Sequence, residues 1–183
     1  MTGQRSLTII QGKRSSQLAN PLKQEGGARC VSDSCRASPN RKEFIMKKSK
    51  YNVHEDEVQP ARVQLKDGWR EMNIRFLLDK KTVGISSAVL WKAVIKAGAV
   101  HQKHVHRKAD EVCYVIKGKG RHGQGDEEWD IGPGDSYFAP RGLAHWAYGT
   151  DPKDPLTVIG VYVGGGSLED TGYEFVEALE PKV

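Results

Sequence analysis

The 183-residue sequence contains no hydrophobic run long enough to cross a lipid bilayer. The longest candidate, AVLWKAVIKAG, is interrupted by Lys92 and Lys96, whereas a transmembrane helix needs about 20 consecutive apolar residues. The length is that of one domain with room for a tail. We therefore expect a soluble protein with no membrane partner.

Cysteine is also scarce, with three residues in the whole chain. Cys30 and Cys35 lie in a polar segment, and Cys113 lies in an apolar run typical of a strand, so no disulfide framework is predicted. The C-x4-C spacing of the first two is a weak zinc signal without a second pair, and two idle thiols are the simpler interpretation. Few cysteines without a disulfide framework fit a reducing compartment, so we predict a cytoplasmic protein.

The excess of positive charge is confined to one end of the chain. Residues 1–50 carry 11 Lys and Arg against 3 Asp and Glu, a net charge of +8, whereas residues 51–183 carry 17 against 20, a net charge of −3. A basic segment indicates phosphate binding only when a folded surface presents it. We therefore expect no nucleic-acid partner.

Residues 1–45 are poor in aromatic residues, rich in Ser, Gly, Arg and Lys, and show no sustained period. This composition predicts disorder. Three interpretations stay open: an over-long start before Met46, a targeting segment, or a regulatory tail. The segment has no apolar stretch of the length that a secretory signal requires, so we do not expect export. We assign residues 1–50 to a disordered basic tail and residues 51–183 to a single domain.

Beyond Tyr51 the sequence changes to short β-type runs separated by Gly, Pro and Asp. The runs are MNIRFLL, VGISSAVLWKAVIKAG, EVCYVIKGKGRHG, EEWDIGPGD, SYFAP, AHWAYG and LTVIGVYV. Short strands with turn signals every 8–12 residues or so predict an all-β sandwich or barrel. The GDEE stretch predicts a hairpin turn, and we interpret GGGSLEDTGYEFVEALE as a loop followed by a short terminal helix.

Three histidines and an acid lie within the eleven residues 101–111, where the pattern predicts strands. Side chains at i and i+2 share a face of a strand, so His104 and His106 point the same way, with Gln102, and His101 points the opposite way. Glu111 follows a turn through RKAD, and the next strand can bring its carboxylate back to the two imidazoles. Imidazoles and carboxylates lose hydration when they are buried and need polar partners in exchange. The cluster is therefore either a solvent-exposed surface or a set of metal ligands.

A fourth candidate ligand lies 34 residues after Glu111. His145 follows a turn that contains Pro140 and Gly142 and precedes an aromatic strand, so its ring can point inward. We predict one divalent ion held by His104, His106, Glu111 and His145. Three neutral imidazoles and one carboxylate suit Fe(II), Mn(II), Ni(II), Cu(II) or Zn(II), and the ligand types do not choose among these ions. The remaining histidines, His54, His101 and His122, are interpreted as surface residues, and His101 at most as an outer or entrance group of the site.

These two stretches resemble the two sequence motifs of the cupin family. The first motif, G-x5-H-x-H-x4-E-x6-G, is matched without a gap by Gly98, His104, His106, Glu111 and Gly118. The second, G-x5-P-x-G-x2-H-x3-N, is matched by Gly134, Pro140, Gly142 and His145. Gly149 stands where the family has Asn, which is not a metal ligand there, so the departure concerns substrate contacts or local strand packing.

The resemblance implies a small jelly-roll barrel of six to eight strands, with the metal near its middle, and often a homodimer. Strand parity directs further side chains into the same cavity, namely Gln102, Cys113 and Ala147, and Tyr137 joins them as a candidate pocket residue. Cys113 is interpreted as a small buried residue because no cationic neighbour would lower the pKa of its thiol.

Two classes of function stay open. The first is an enzyme in which the ion acts as a Lewis acid or redox centre on a small organic molecule, with Glu111 as a candidate proton acceptor. Oxygenase, isomerase, decarboxylase, lyase and epimerase reactions all occur on this fold, and the fold does not choose among them. The second is a protein that binds a small acid or sugar without converting it and holds a structural metal.

Overall fold

The computed structural model describes residues 49–182 of the chain. The predictions for the basic tail, including disorder, targeting and the thiols of Cys30 and Cys35, concern residues outside this range. Within it, the helical turns are the three-residue 3-10 turns Glu55–Glu57, Leu65–Asp67 and Glu169–Thr171. None of the described helical segments is long and apolar enough to span a bilayer.

Eleven strands make up the described part of the chain. They are β1 Trp69–Arg70, β2 Asn73–Leu78, β3 Ala88–Ile95, β4 Val100–His106, β5 Asp110–Lys117, β6 Gly120–Gln124, β7 Glu127–Ile131, β8 Ser136–Ala139, β9 His145–Gly149, β10 Leu156–Val163 and β11 Tyr173–Glu177. The predicted all-β class is confirmed. The predicted hairpin turn is also confirmed, because Gly125 and Asp126 join β6 to β7 with Gly125 at a φ of 62°.

The strands form two antiparallel sheets that pack as a jelly roll. The six-stranded sheet has the order β1-β4-β9-β6-β7, with β11 also paired to β4, and the five-stranded sheet has the order β2-β3-β10-β5-β8. Alternation places the core between them: Val89, Trp91, Ala93 and Ile95 of β3 are buried, while the residues between them are partly exposed. The same alternation on β5 buries Glu111 and exposes Val112.

The predicted terminal helix is wrong. Residues Tyr173–Glu177 form strand β11, which pairs with Lys103–His106 of β4 beside the short strand β1. The unpaired edge of β4 offers backbone hydrogen bonds to this segment, and that pairing outweighs local helix preference.

Packing explains the glycine at position 149. A Cβ atom at Gly149 would collide with the carbonyl oxygen atoms of Ile95 and Lys96, because the turn after β3 runs directly over this position. Gly149 therefore marks a close approach of two backbone segments at the end of β9, away from the four candidate ligands.

Candidate metal centre

The four predicted ligands come together between the two sheets. His104 and His106 lie on β4, His145 lies on β9 directly opposite His104, and Glu111 reaches across from β5 of the other sheet. Each of the four is at most 3% exposed. One ligand atom from each lies within 4.8 Å of the others. Ligands on opposite sides of an ion with bonds of about 2.1 Å are about 4.2 Å apart, so the cluster has the dimensions of a single metal site.

Backbone carbonyl groups orient two of the imidazoles. Nδ1 of His104 donates to the carbonyl oxygen of Gln102 at 2.7 Å, and Nδ1 of His145 donates to that of Leu143 at 3.0 Å. Because a carbonyl only accepts, each ring carries a proton on Nδ1, so in the neutral form Nε2 has the lone pair that an ion would take. Nε2 of His104 is buried without a hydrogen-bond partner, which is the state of a ligand atom that faces its ion.

A hydroxyl group orients the third imidazole. The Thr171 hydroxyl donates to the carbonyl oxygen of Leu168 at 2.5 Å, so its oxygen accepts a hydrogen bond from Nδ1 of His106 at 2.8 Å. Nε2 of His106 then faces the carboxylate of Glu111. Sequence reasoning missed Thr171, because it lies 65 residues from His106 and no local pattern joins the two.

The carboxylate concentrates negative charge at the centre of the cluster. Oε2 of Glu111 lies 3.2 Å from Nε2 of both His106 and His145. Burial by itself would raise the pKa of Glu111, but the neighbouring imidazoles outweigh it and hold this pKa well below its usual value. Burial by itself would lower the pKa of His145. The negative charge of Glu111 is the stronger effect, so the pKa of His145 is raised. The site therefore attracts positive charge to the point where the ligand atoms meet.

Two of the four predicted pocket residues line the central cavity, and two do not. Tyr137 and Ala147 are part of its wall. Cys113 is buried beside it, where its thiol donates to Oε1 of Glu111 at 3.1 Å, and burial raises the pKa of this thiol well above its usual value. Gln102 is outside the cavity wall, and its side-chain oxygen accepts the backbone N–H of Leu179 at 2.6 Å.

The expected orientations of Gln102 and His101 are both wrong for the same reason. The register of β4 against β9 shifts between His101 and His104, which are paired with Ala147 and His145, so β4 contains one extra residue there. Such a bulge reverses the alternation of side chains on its N-terminal side. His101 consequently faces the cavity beside His104, with ring centroids 3.8 Å apart, and is 7% exposed.

His122, also expected at the surface, is buried in the cavity wall. It lies on β6 opposite Ala147, is 1% exposed, and stacks on Tyr137 with ring centroids 3.9 Å apart. Burial lowers the pKa of His122 to about 4, so the ring is neutral. Only the register of β6 against β9 reveals this orientation. His54 is different, because its side chain is 41% exposed.

The rest of the cavity wall is apolar, and little space is free. Met72, Ile74, Trp91, Ala93, Ile95 and Val158 contribute to it. The free volume, measured as the space open to the centre of a water molecule, is about 10 Å³. This is room for about one water molecule.

Comparison with known proteins supports the fold. Residues 91–162 match the family model described as "Cupin domain". No curated protein matches the chain. Among solved structures, a predicted oxalate decarboxylase from Thermotoga maritima is 22% identical with a TM-score of 0.55, and the match covers 62% of this chain and 98% of that one.

Two further structures show the same likeness. A cupin-like protein from Thermotoga maritima is 19% identical with a TM-score of 0.53, over 66% of this chain and 86% of that one. The oxalate decarboxylase of Bacillus subtilis, studied for its Mn(II) centres, is 21% identical with a TM-score of 0.54, over 67% of this chain and 32% of that one. At these identities the likeness concerns the fold.

Proposed function

We propose, from the match of residues 91–162 to the cupin domain model, that the protein is a metal-dependent enzyme acting on a small organic molecule. Its centre consists of His104, His106, Glu111 and His145. The reaction is an oxygenation, isomerisation, decarboxylation or lyase reaction. Two of the solved structures with this fold are named as oxalate decarboxylases, so decarboxylation of small acids is the first reaction to test.

The convergence of four oriented ligand atoms carries this proposal. Three imidazoles have their Nδ1 atoms occupied by oxygen acceptors, and the fourth group is a buried carboxylate whose pKa is well below its usual value. Such a set without an ion leaves Nε2 of His104 unpartnered in the protein interior. Nitrogen and oxygen ligands in this proportion suit Fe, Mn, Ni, Cu or Zn.

The residues around the ion limit the roles that each can have. A bound divalent ion supplies a Lewis acid or a redox centre. Glu111 is the candidate proton acceptor, because it is ionised and within 3.2 Å of two imidazoles. The pKa values of Cys113 and Tyr137 are raised well above their usual values by burial, so both groups stay protonated. The thiol of Cys113 donates to Glu111.

The second candidate function is ligand binding without turnover around a structural ion. The small free volume favours it, because structural sites are closed whereas catalytic sites keep a position for water or substrate. The coordination number of the bound ion distinguishes the two. Four protein ligands alone on a tetrahedral ion support the structural role, and additional water ligands support the enzyme.

A homodimer is also part of the proposal. The outer face of the five-stranded sheet exposes Val112, Tyr114, Phe138 and Val163, each between 45% and 54% exposed, on neighbouring strands. An exposed apolar face of this kind is typical of an interface. Light scattering should report a dimer, and Tyr114→Glu combined with Phe138→Glu should yield a monomer. The cytoplasmic location and the boundary at residue 50 stay predictions from the sequence.

Elemental analysis of the purified, unchelated protein tests the centre directly. We expect about one divalent ion per chain, and we expect His104→Ala combined with His145→Ala to remove it. His54→Ala is the matched control, because His54 is an exposed histidine away from the cluster. Absence of a stoichiometric ion, or unchanged metal content in the double variant, would contradict the proposal.

The activity is tested with the metal-loaded protein. Carbon dioxide release is measured with oxalate and 2-oxo acids, and oxygen uptake is measured with catechols, diketones and 2-oxo acids. Turnover that disappears in His145→Ala supports an enzyme. If none of the iron, manganese, nickel, copper and zinc forms turns over any of these substrates, the result supports ligand binding without catalysis.

A further inference from the structure

Two histidines outside the metal centre flank a small residue on the cavity wall. His101 of β4 and His122 of β6 both pair with Ala147 of β9, so the three form a row across adjacent strands. All three line the cavity. Neighbouring strands are about 4.8 Å apart, which puts the backbones of the two histidines about 10 Å apart with only a methyl group between them. We call these three residues the lower row.

One ring nitrogen of each histidine in the lower row lacks a partner. Nε2 of His101 and Nδ1 of His122 are buried without a hydrogen bond, and so is Nε1 of Trp91 in the same cavity wall. Buried polar atoms are nearly always hydrogen-bonded in native proteins, and unexplained exceptions indicate an absent water, ion or ligand. A neutral imidazole has one N–H group. Nε2 of His122 lies 3.5 Å from Oε1 of Gln124, at the outer limit of a hydrogen bond, so the tautomer with its proton on Nδ1 is available to donate to an oxygen atom in the cavity. His101 can donate one hydrogen bond in the same way.

The lower row lies next to the metal centre along the strands. On β9, His145 is two residues from Ala147, which is about 6.6 Å of strand. His104 and His145 pair with each other in that neighbouring row. Both rows face the same cavity. A small molecule with oxygen atoms at both ends can therefore reach the metal centre with one end and the lower row with the other.

We infer that the lower row is an oxygen-binding subsite, with His101 and His122 as donors, for the second oxygen-bearing group of a small acid whose first group faces the metal centre. The substrate class is the dicarboxylates and 2-oxo acids of about two to four carbon atoms, a size set by the strand distance between the rows. This inference rests on the proposed function.

The free space of the cavity has the size of about one water molecule. The free volume of about 10 Å³ accommodates one water, which requires two to four polar partners. An acid that enters fills this space and moves a flexible part of the wall. Met72 is suited to such movement, because it lines the cavity and its unbranched side chain has three rotatable bonds.

Simple packing is the competing role for His101. Its ring lies between Trp69 and His104, with centroid distances of 3.9 Å and 3.8 Å. A phenylalanine preserves this stack but has no N–H group. The variants His101→Phe and His122→Phe therefore separate hydrogen bonding from packing.

Calorimetric titration of the metal-loaded protein tests the inference without any measurement of turnover. Malonate, with two carboxylates, is compared with acetate, which has one. We expect His101→Phe and His122→Phe each to weaken malonate binding by about tenfold or more and to leave acetate binding within about twofold. His122→Asn keeps a donor and should restore part of the malonate affinity.

The outcomes distinguish this inference from the proposed function. Metal content is measured first, and a wild-type protein without an ion contradicts both. If the ion is present but malonate does not bind, or if both phenylalanine variants keep the wild-type ratio of malonate to acetate affinity, only the lower row is contradicted. Should thermal unfolding show that these variants do not fold, Ala147→Val fills the gap between the imidazoles, and an unchanged malonate preference in that variant overturns the inference.

Discussion

The two sheets of this protein contribute different chemistry to the interior between them. The six-stranded sheet holds every buried histidine among the described residues, and these are His101, His104, His106, His122 and His145. The five-stranded sheet contributes the acid Glu111, the thiol of Cys113 and the phenols of Tyr137 and Tyr162. A metal ion at this site would need both sheets, because one sheet offers the imidazole nitrogen atoms and the facing sheet offers the negative charge of Glu111.

Contact with Glu111 distinguishes the pKa of His145 from those of His101 and His104. Burial holds the pKa values of His101 and His104 well below the usual value, so these rings are neutral and can stack closely. His145 is also buried, yet contact with Glu111 raises its pKa. The Glu111 carboxylate therefore offsets the effect of burial on the pKa of His145 but not on those of His101 and His104.

The largest expected effect comes from removal of the ion that links the two sheets. A ligand that binds only the folded state at 1,000 times its Kd stabilises by about 4 kcal/mol, which corresponds to a Tm decrease of roughly 10 °C on chelation. Differential scanning calorimetry with and without a chelator measures it. The His104→Ala, His145→Ala double variant should not respond to the chelator, and an equal response there would contradict an ion at this centre.

A smaller effect is expected from the hydroxyl that orients one imidazole. Thr171→Val removes the acceptor for Nδ1 of His106 and keeps the shape of the side chain. Loss of such an outer partner typically weakens metal binding by about 10- to 100-fold. Chelator competition measures the affinity, with Thr171→Ser as the control that keeps the hydroxyl. Equal affinities in the two variants would show that Thr171 only packs.

The two sheets differ in chemistry, but we expect them to tolerate an added side-chain atom equally poorly at a tightly packed glycine. A Cβ atom at Gly160 would collide with the indole of Trp91 in the five-stranded sheet, and one at Gly123 would collide with that of Trp146 in the six-stranded sheet. We expect each alanine variant to lower the free energy of unfolding by about 2 kcal/mol through overpacking. Urea denaturation measures both. Gly132→Ala is the control, because its nearest neighbouring atom would be 4.0 Å away.

A result for Gly160→Ala or Gly123→Ala close to that of the Gly132→Ala control would contradict this symmetry. It would show that one sheet accommodates a moved indole more easily than the other.

The smallest effects are expected from exposed ion pairs, one at each sheet. Lys117 and Asp154 are 2.9 Å apart with side chains 65% and 43% exposed, and Arg107 and Glu174 are 2.9 Å apart with both side chains more than half exposed. Solvent screening limits such pairs to about 0.5 kcal/mol or less. Lys117→Ala and Arg107→Ala should therefore unfold at nearly the wild-type urea concentration, and a loss above 1 kcal/mol or so would contradict the assumed screening.

The orientation of individual histidines was only partly predictable. Alternation within one regular stretch correctly places His104 and His106 on the same face, because i and i+2 relations are local. The orientation of His101 depends on the bulge in β4, and that of His122 depends on the register of β6 against β9. Neither feature has a local sequence signal. Strand β11 was missed for the same reason, since its pairing partner β4 lies about 70 residues earlier.

The sequence by itself determined the all-β class and the four candidate ligands, because hydrophobic alternation, turn residues and short fixed spacings act between near neighbours in the chain. Only the tertiary structure decided that His101 and His122 face the cavity, that Thr171 orients His106, and that Gly149 accommodates a passing backbone. These features depend on which strands pair and in which register. The strand register depends on which side chains the whole fold buries, so it cannot be predicted from a short segment of sequence.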